Sequence, residues 1–495
     1  MECDDSWSFK RCCSACKMKL RRGYLGALES RNIGNVTRTP ALHPSSTHHG
    51  NYVMKHHQKE YSMGKLTMLI VTVCIVAVKL GASADNTASA AAASNNEKED
   101  HDDTNKKFDN LVAWVQQNGG RVNDHLALTN HQHGNHQVVR GGVALQNIQS
   151  GSELLFLPWN IVFGTIHDTP TLPDNKCEVL QSYASEVDAG RASFWYPYLA
   201  LDTSLSSRVP SVWSDLAIAE LQGLPPYGRT AGLTDWYSSN CANDVVFSDL
   251  PSSSRQALLA AVTRAAGLRF LPVYDLLNHH NGMLNTECLA VQEGVTLTTT
   301  TDIHKGDEIF NSYGGGQVNT VAEIFRKYGF VDEWPQYHSW EQRDEKSDDD
   351  DDDDGGMNTM HFLVLPGQNN VAIYPPPSML SQIGDNVLDI GDLLAETEKH
   401  NQRLSTQQLI HFSKMLANLI ATLITTVDED TVILQQMNDS LRIMILSQDD
   451  LHGEIEQLTD INSAISYRIQ FKKAIRMALD ATNQVLSLRN DADEL

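Results

Sequence analysis

The sequence predicts an α+β chain, with short strands gathered in residues 107–340 and helices following in residues 359–491. Three observations predict it. Gly141–Pro158 reads as two short strands around a tight turn at Gly151: the first alternates apolar residues, the second is a continuous apolar run. Ile303-His-Lys-Gly306-Asp-Glu308 repeats the Ile-x-x-Gly-x-Glu grammar of Ile148–Glu153 ahead of another apolar segment. Beyond residue 405, apolar residues recur at helical spacing.

The helices are the plainest elements. Ser405-x-x-Gln408 matches a capping box, and Leu409, Phe412, Leu416, Leu419, Ile420 and Leu423 follow on one face. A second helix is expected from about Asp428 through Leu434, Met437 and Leu441, and a third carries Ile461, Ile465, Ile469 and Ile475. Ahead of them His361–Leu365 looks like a strand, and Pro375–Pro377 breaks the chain. The Asp run at 348–354 reads as part of a solvated acidic linker, 341–358, between two domains.

Composition bounds the function. At 495 residues the length suggests about three domain-sized units. The net charge of −24 argues against nucleic-acid binding, which needs a basic face. Eight Cys stand at 3, 12, 13, 16, 74, 177, 241 and 288. Cys13-x-x-Cys16 has half the spacing of a zinc site with no second pair behind it, so no metal site is expected. His131, His133 and His136 read as a polar loop without a carboxylate partner nearby in sequence.

The front of the chain concerns address. Residues 1–65 carry eleven Lys and Arg against five Asp and Glu. Residues 1–62 read as a basic tail, 63–84 as a signal-peptide or signal-anchor segment, and 85–106 as a polar linker. The apolar run at 66–78 is shorter than the roughly 20 residues of a spanning helix, and Ala82-Ser-Ala84 fits a cleavage step. If uncleaved, residues 66–80 would hold the chain in a membrane. Ala492-Asp-Glu-Leu495 resembles an endoplasmic-reticulum retrieval signal. Together these place the chain in the secretory system, with a plastid or the cytoplasm as the alternative.

Two segments carry the chemistry. Leu271-Pro-Val-Tyr-Asp275-Leu-Leu-Asn278-His279 reads as an apolar strand closed by Asn-His, and Gly306-Asp-Glu-Ile-Phe-Asn-Ser-Tyr313-Gly314 as a strand ending in Tyr-Gly. The pair resembles the signature segments of SET-domain methyltransferases. Ser193–Leu199, Val212–Gly223 and Ala322-Glu323-x4-Tyr328-Gly329-Phe330-Val331 are similar to the subclass with a helical insertion, which includes the Rubisco large-subunit lysine methyltransferase and the actin-histidine methyltransferase. The resemblance implies a SET domain at 107–340 with a knot-like C-terminal segment and an insertion at about 170–262. It also implies an all-α substrate-binding domain at 359–491.

The resemblance implies a site as well. S-adenosylmethionine would lie against Asn278, His279, Gly141 and Gly142, with Arg264 near its carboxylate. The Tyr313 hydroxyl would sit where the methyl group crosses. The partner would be a protein substrate accepting on lysine or histidine nitrogen, and the chain is expected to act as a monomer. The sequence departs from the subclass at Val321, where an Asn is usual, in the Gly314–Gly316 run, and in the short Arg264–Asp275 segment. Two functions stay open: a protein N-methyltransferase, or a catalytically silent SET fold that binds a protein.

Overall fold

A computed structural model describes residues 89–493 apart from 134–136, 166–170, 172, 174, 205–208, 223, 225–236, 238–240, 242–246, 314–317, 332–334, 343–357, 366–369, 385–389 and 448–451. The expected tail, signal segment and its cleavage step, and the last two residues of the retrieval signal, lie outside the described residues. The first described element is helix α1, Ser89–Gln117. It runs through residues 89–106 of the expected linker at 85–106. Its polar start includes four consecutive alanines, the best helix formers, and its last turns place Phe108, Leu111, Trp114 and Val115 on one buried face. Asn118 closes it by donating to the Trp114 carbonyl at 2.8 Å, and Gly119 turns the chain at φ +86°.

Strands β1 Arg121–Val122, β4 Glu153–Pro158, β7 Gly294–Thr299 and β6 Thr286–Ala290 form an antiparallel sheet in that order. A second sheet runs β2 Leu126–His133, β3 Gln137–Ala144, β8 Glu308–Asn311 and β5 Asn278–His279. Its last pairing, β8 with β5, is parallel. The repeated Ile-x-x-Gly-x-Glu grammar has a common geometry. Gly151 and Gly306 both adopt positive φ, +79° and +92°, where glycine carries no Cβ penalty. Ile148 and Ile303 pair with each other through both backbone hydrogen bonds, 2.8 and 2.9 Å.

Helices α2 Lys176–Ala189, α3 Tyr196–Leu199, α4 Asp215–Ala219 and α5 Ser252–Thr263 stand between β4 and β5. Cys177 at the start of α2 and Cys241 are joined by a disulfide across 64 positions. After β8 comes α6, Val321–Tyr328, capped by Thr320 and closed by Gly329 at φ +78°.

The region beyond residue 335 corrects two expectations. It is not all-α, and the acidic run does not separate two domains. Strand β9, Gln336–Gln342, pairs antiparallel with β10, Asn358–Val364, in the register Gln342↔Asn358 to Gln336↔Val364, and β11, Val371–Ile373, completes the sheet. The acidic run is therefore a connection within one sheet. Strand β9 was hidden because its buried positions include polar side chains, Gln336 and His338, each 2% exposed. His338 lies flat on Phe362 at 4.9 Å, and burial lowers its pKa to about 3, so it is neutral in the core.

Helices α7 Pro377–Gly384, α8 Ile390–Arg403, α9 Thr406–Thr422, α10 Val427–Ser447 and α11 His452–Asp493 follow. Ser405 and Gln408 form the expected reciprocal capping box on α9. Helix α11 has 42 residues and fastens this region to the preceding sheets. Tyr467 stacks on Phe325 of α6 at 4.1 Å. Arg468, fully buried, forks onto Asp430 of α10 at 2.9 and 2.5 Å and reaches Glu220, beyond α4, at 2.8 Å. Lys472 adds a 2.7 Å bond to Asp430. Burial alone would raise the Asp430 pKa, but its bonds to Arg468 and Lys472 outweigh that and hold it below the usual carboxylate range. Among the described residues no single helix is long and apolar enough to cross a membrane.

Candidate active site

The approach to the site is a turn rather than the expected strand. Residues 271–277 are buried on all sides, and a short continuous apolar run looks the same in sequence whether strand or turn. Val273 takes φ +70°, unusual for a β-branched residue, and Tyr274–Leu276 make one 3-10 turn. The chain then straightens for two residues, and Asn278 and His279 lie parallel to Phe310 and Asn311.

Side chains hold that contact. The buried Asn311 amide donates to the Tyr274 and Leu277 carbonyls, 3.1 and 3.3 Å, tying β8 to the turn. On the other side Asn285 acts as a substitute strand. It donates to the Glu308 carbonyl and accepts from the Phe310 amide, each at 2.8 Å. Thr286 donates to the Phe310 carbonyl at 2.7 Å.

Tyr313 is brought to His279 by this arrangement. Its amide donates to His279 Nδ1 at 3.2 Å, and its ring stacks on the imidazole at 5.2 Å and 20°. Its hydroxyl donates to the Leu277 carbonyl at 3.3 Å. Tyr328 and Phe330 lie against the same ring, with centroids at 4.4 and 6.5 Å. The three rings, His279 and Asn278 all line one cavity of about 1090 Å³. Its far wall comes from α10 and α11, where Asn438, Asn462 and Ser466 present neutral amides and a hydroxyl.

Gly141 and Gly142 do not line this cavity. The protein itself fills the space beside them. A Cβ on Gly141 would meet Asn278 Nδ2 at 2.3 Å and Glu308 Oε1 at 2.5 Å, and one on Gly142 would meet Leu277 Cδ2 at 2.4 Å. The glycines let β3 lie close against the Asn278 segment. Glu308 bridges the same junction, accepting from Asn278 Nδ2 at 2.7 Å and lying 3.3 Å from His131 Nδ1. His131 therefore sits on β2 beside a carboxylate. The expected polar loop at 131–136 is strand at His131 and His133, while His136 lies outside the described residues.

Arg264 lines the cavity, but its guanidinium is occupied. It pairs with Asp202 at 3.1 Å and donates to Ser204 and Thr203 at 2.9 Å each and to the Asp275 carbonyl at 3.5 Å. Burial pushes the Asp202 pKa up, yet Arg264 and the hydroxyls of Ser204 and Tyr183 hold it below the ordinary range. Beside them Asp275 is buried, and burial raises its pKa to about 6 against the pull of Arg264. Tyr198 donates to its Oδ2, while Oδ1 has no hydrogen-bond partner among the described residues. Sequence reasoning missed Asp275, Asn311, Glu308 and Arg140. The first three stand inside the signature segments and have polar side chains in apolar runs, which was the signal available.

No family model and no curated protein matches the chain. Among solved structures it is similar to the SET domain of LSMT bound to lysine and AdoHcy, at 15% identity and TM-score 0.45, over 77% of this chain and 91% of that one. It is also similar to Rubisco LSMT bound to AdoMet, at 15% and 0.46, and to Rubisco LSMT bound to sinefungin and monomethyllysine, at 16% and 0.46. Each of these two alignments covers 77% of this chain and 92% of the other.

The glycine geometry gives a direct test. Gly141→Ala should force Asn278 and Glu308 apart and lower stability by about 1–3 kcal/mol, read by denaturant unfolding. An unchanged midpoint would show that the β3–β5 approach is slack.

Proposed function

We propose that the chain is an S-adenosylmethionine-dependent protein methyltransferase whose acceptor is a lysine side-chain nitrogen. The observation that carries this reading is the meeting of Asn278, His279 and Tyr313 on one cavity wall through the parallel β5–β8 contact. The residues fit such a cofactor: Asn278 and His279 supply amide and imidazole, and the same wall carries cationic side chains. When bound, the cofactor supplies an electrophilic methyl group on a sulfonium.

The chain's own residues do the positioning. The Tyr313 hydroxyl has its proton committed to the Leu277 carbonyl, so its lone pairs remain to accept from the incoming amine. Tyr313, Tyr328 and Phe330 enclose the amine with aromatic faces and exclude water. Burial there disfavours the ammonium form and helps free the nitrogen lone pair. Holding the reacting atoms in line is worth on the order of 7–11 kcal/mol in well-oriented reactions. A histidine acceptor would need only its neutral tautomer. Lysine is preferred here because an aromatic enclosure suits its flexible alkyl chain.

The silent-fold alternative rests on Val321 and on Gly314–Gly316. Val321 is fully buried in the first turn of α6 and does not line the cavity, so its identity does not remove a polar group from the wall. The glycine run lies outside the described residues.

The function is tested with a lysine-containing peptide library and cofactor carrying a labelled methyl. Wild type should label lysine Nζ, and Tyr313→Phe should cut the rate by about 10²–10³ while leaving the fold intact. No incorporation by wild type would overturn the reading; full activity of the variant would remove Tyr313 from the reacting centre.

We further propose that the chain works in an oxidising compartment of the secretory system. The Cys177–Cys241 disulfide supports this, since reducing cytosol does not maintain such bonds. Alkylation of intact cells before lysis should leave both cysteines unmodified. Modification of both would contradict the compartment.

A further inference from the structure

The far wall of the cavity, from α10 and α11, carries no Asp, Glu, Lys or Arg among the described residues that line it. Charges of these helices turn inward instead, where Asp430, Arg468 and Lys472 bond one another. On α11 the wall is a neutral polar stripe: Thr459, Asn462, Ser466 and Gln470 recur at spacings of three and four residues, one helix face. Two amides meet across it. Asn462 Nδ2 on α11 donates to Asn438 Oδ1 on α10 at 2.5 Å. That bond leaves Asn438 Nδ2 as a donor. It leaves Asn462 Oδ1 as an acceptor, met among the described residues only by the Ser466 hydroxyl at 3.4 Å. Both residues line the cavity, and Asn438 is exposed. Turning both amides over exchanges the two roles and leaves the same pair of ends.

Resting on the lysine reading above, we propose that Asn438 and Asn462 form a main-chain clamp for the acceptor protein. The pair holds the N–H and C=O of one residue in an extended segment flanking the target lysine. An extended residue turns its N–H and C=O to the same side, which is how paired strands exchange two bonds. The donor end and the acceptor end of the amide pair meet that residue in the same way. Recognition of this kind draws its affinity from the backbone, and with no charge on the wall it is indifferent to the side chain at the clamped position. The substrate class is therefore a lysine in an extended segment, such as a terminus or an exposed loop. A lysine inside a helix is excluded, because the N–H and C=O groups around it are already bonded within the helix.

The test is calorimetric and uses the full chain saturated with S-adenosylhomocysteine, so that no turnover occurs. The probe is the lysine peptide that wild type labels fastest in the library assay above, with each backbone nitrogen methylated in turn. At one position beside the lysine, N-methylation should weaken wild-type binding by about 5- to 10-fold, the loss of one hydrogen bond. Exchanging the side chain at that position between alanine and serine should leave the affinity unchanged. In Asn462→Leu, which lacks the acceptor, the same N-methylation should cost nothing further. Asn438→Asp keeps the size and the bond to Asn462 but has no N–H, and should weaken the unmethylated peptide by a similar factor. S-adenosylhomocysteine binding as in wild type shows that a variant is folded, and either variant carries the test alone. No sensitive position in wild type, an equal cost of N-methylation in Asn462→Leu, or unchanged peptide affinity in Asn438→Asp would overturn the clamp. A library in which wild type labels no lysine would overturn the lysine reading itself, and the clamp with it.

Discussion

The site depends on one short contact, the two-residue parallel pairing of Asn278-His279 with Phe310-Asn311. Two backbone pairings are weak alone, and parallel pairing is slightly weaker per residue than antiparallel. The protein supplements them with side chains that act as backbone. Asn311 bonds two carbonyls of the preceding turn, and Asn285 and Thr286 bond the β8 backbone at Glu308 and Phe310. The two N–H groups of the buried Asn311 amide, bonded in this way, rigidify their surroundings, because any slip would strand donors without partners. Tyr313 follows the pair by two residues and inherits its position.

The remaining structure supports that junction from two directions. From the N-terminal side, Gly141 and Gly142 allow β3 to approach, and Glu308 bridges from β8 to Asn278 and His131. From the C-terminal side, α11 holds α6 through Tyr467 on Phe325, and α6 carries the chain to Tyr328 and Phe330 beside Tyr313. The buried cluster of Arg468, Asp430, Lys472 and Glu220 fixes α11 in turn. Truncating one member would leave uncompensated charge in the interior, so the cluster specifies one arrangement more than it adds net stability.

Local features were legible in the sequence, and distant pairings were not. Gly151 and Gly306 announce turns because positive φ costs a residue with a Cβ. The Ser405–Gln408 box announces a helix start because both partners are three residues apart. Asn278, His279 and Tyr313 could be chosen as residues of a pattern. Arg264 shows the limit: its cavity position was expected, but its partner Asp202 is 62 positions away and no periodicity points to it. The same applies to the Cys177–Cys241 disulfide and to β9 pairing with β10 across the acidic run. In β9, polar residues at buried positions erased the alternation that marks a strand.

The central claim is that Val139 and Arg140 of β3, the 275–280 segment and Tyr313 just after β8 form one ligand wall. Hydrogen exchange of the full chain with and without saturating S-adenosylhomocysteine tests it most directly. Slowed exchange concentrated in residues 139–144, 274–280 and 308–313 is the expected result, since amides at a ligated junction open less often. No change in these three segments, or protection confined to residues 371–411, would contradict it.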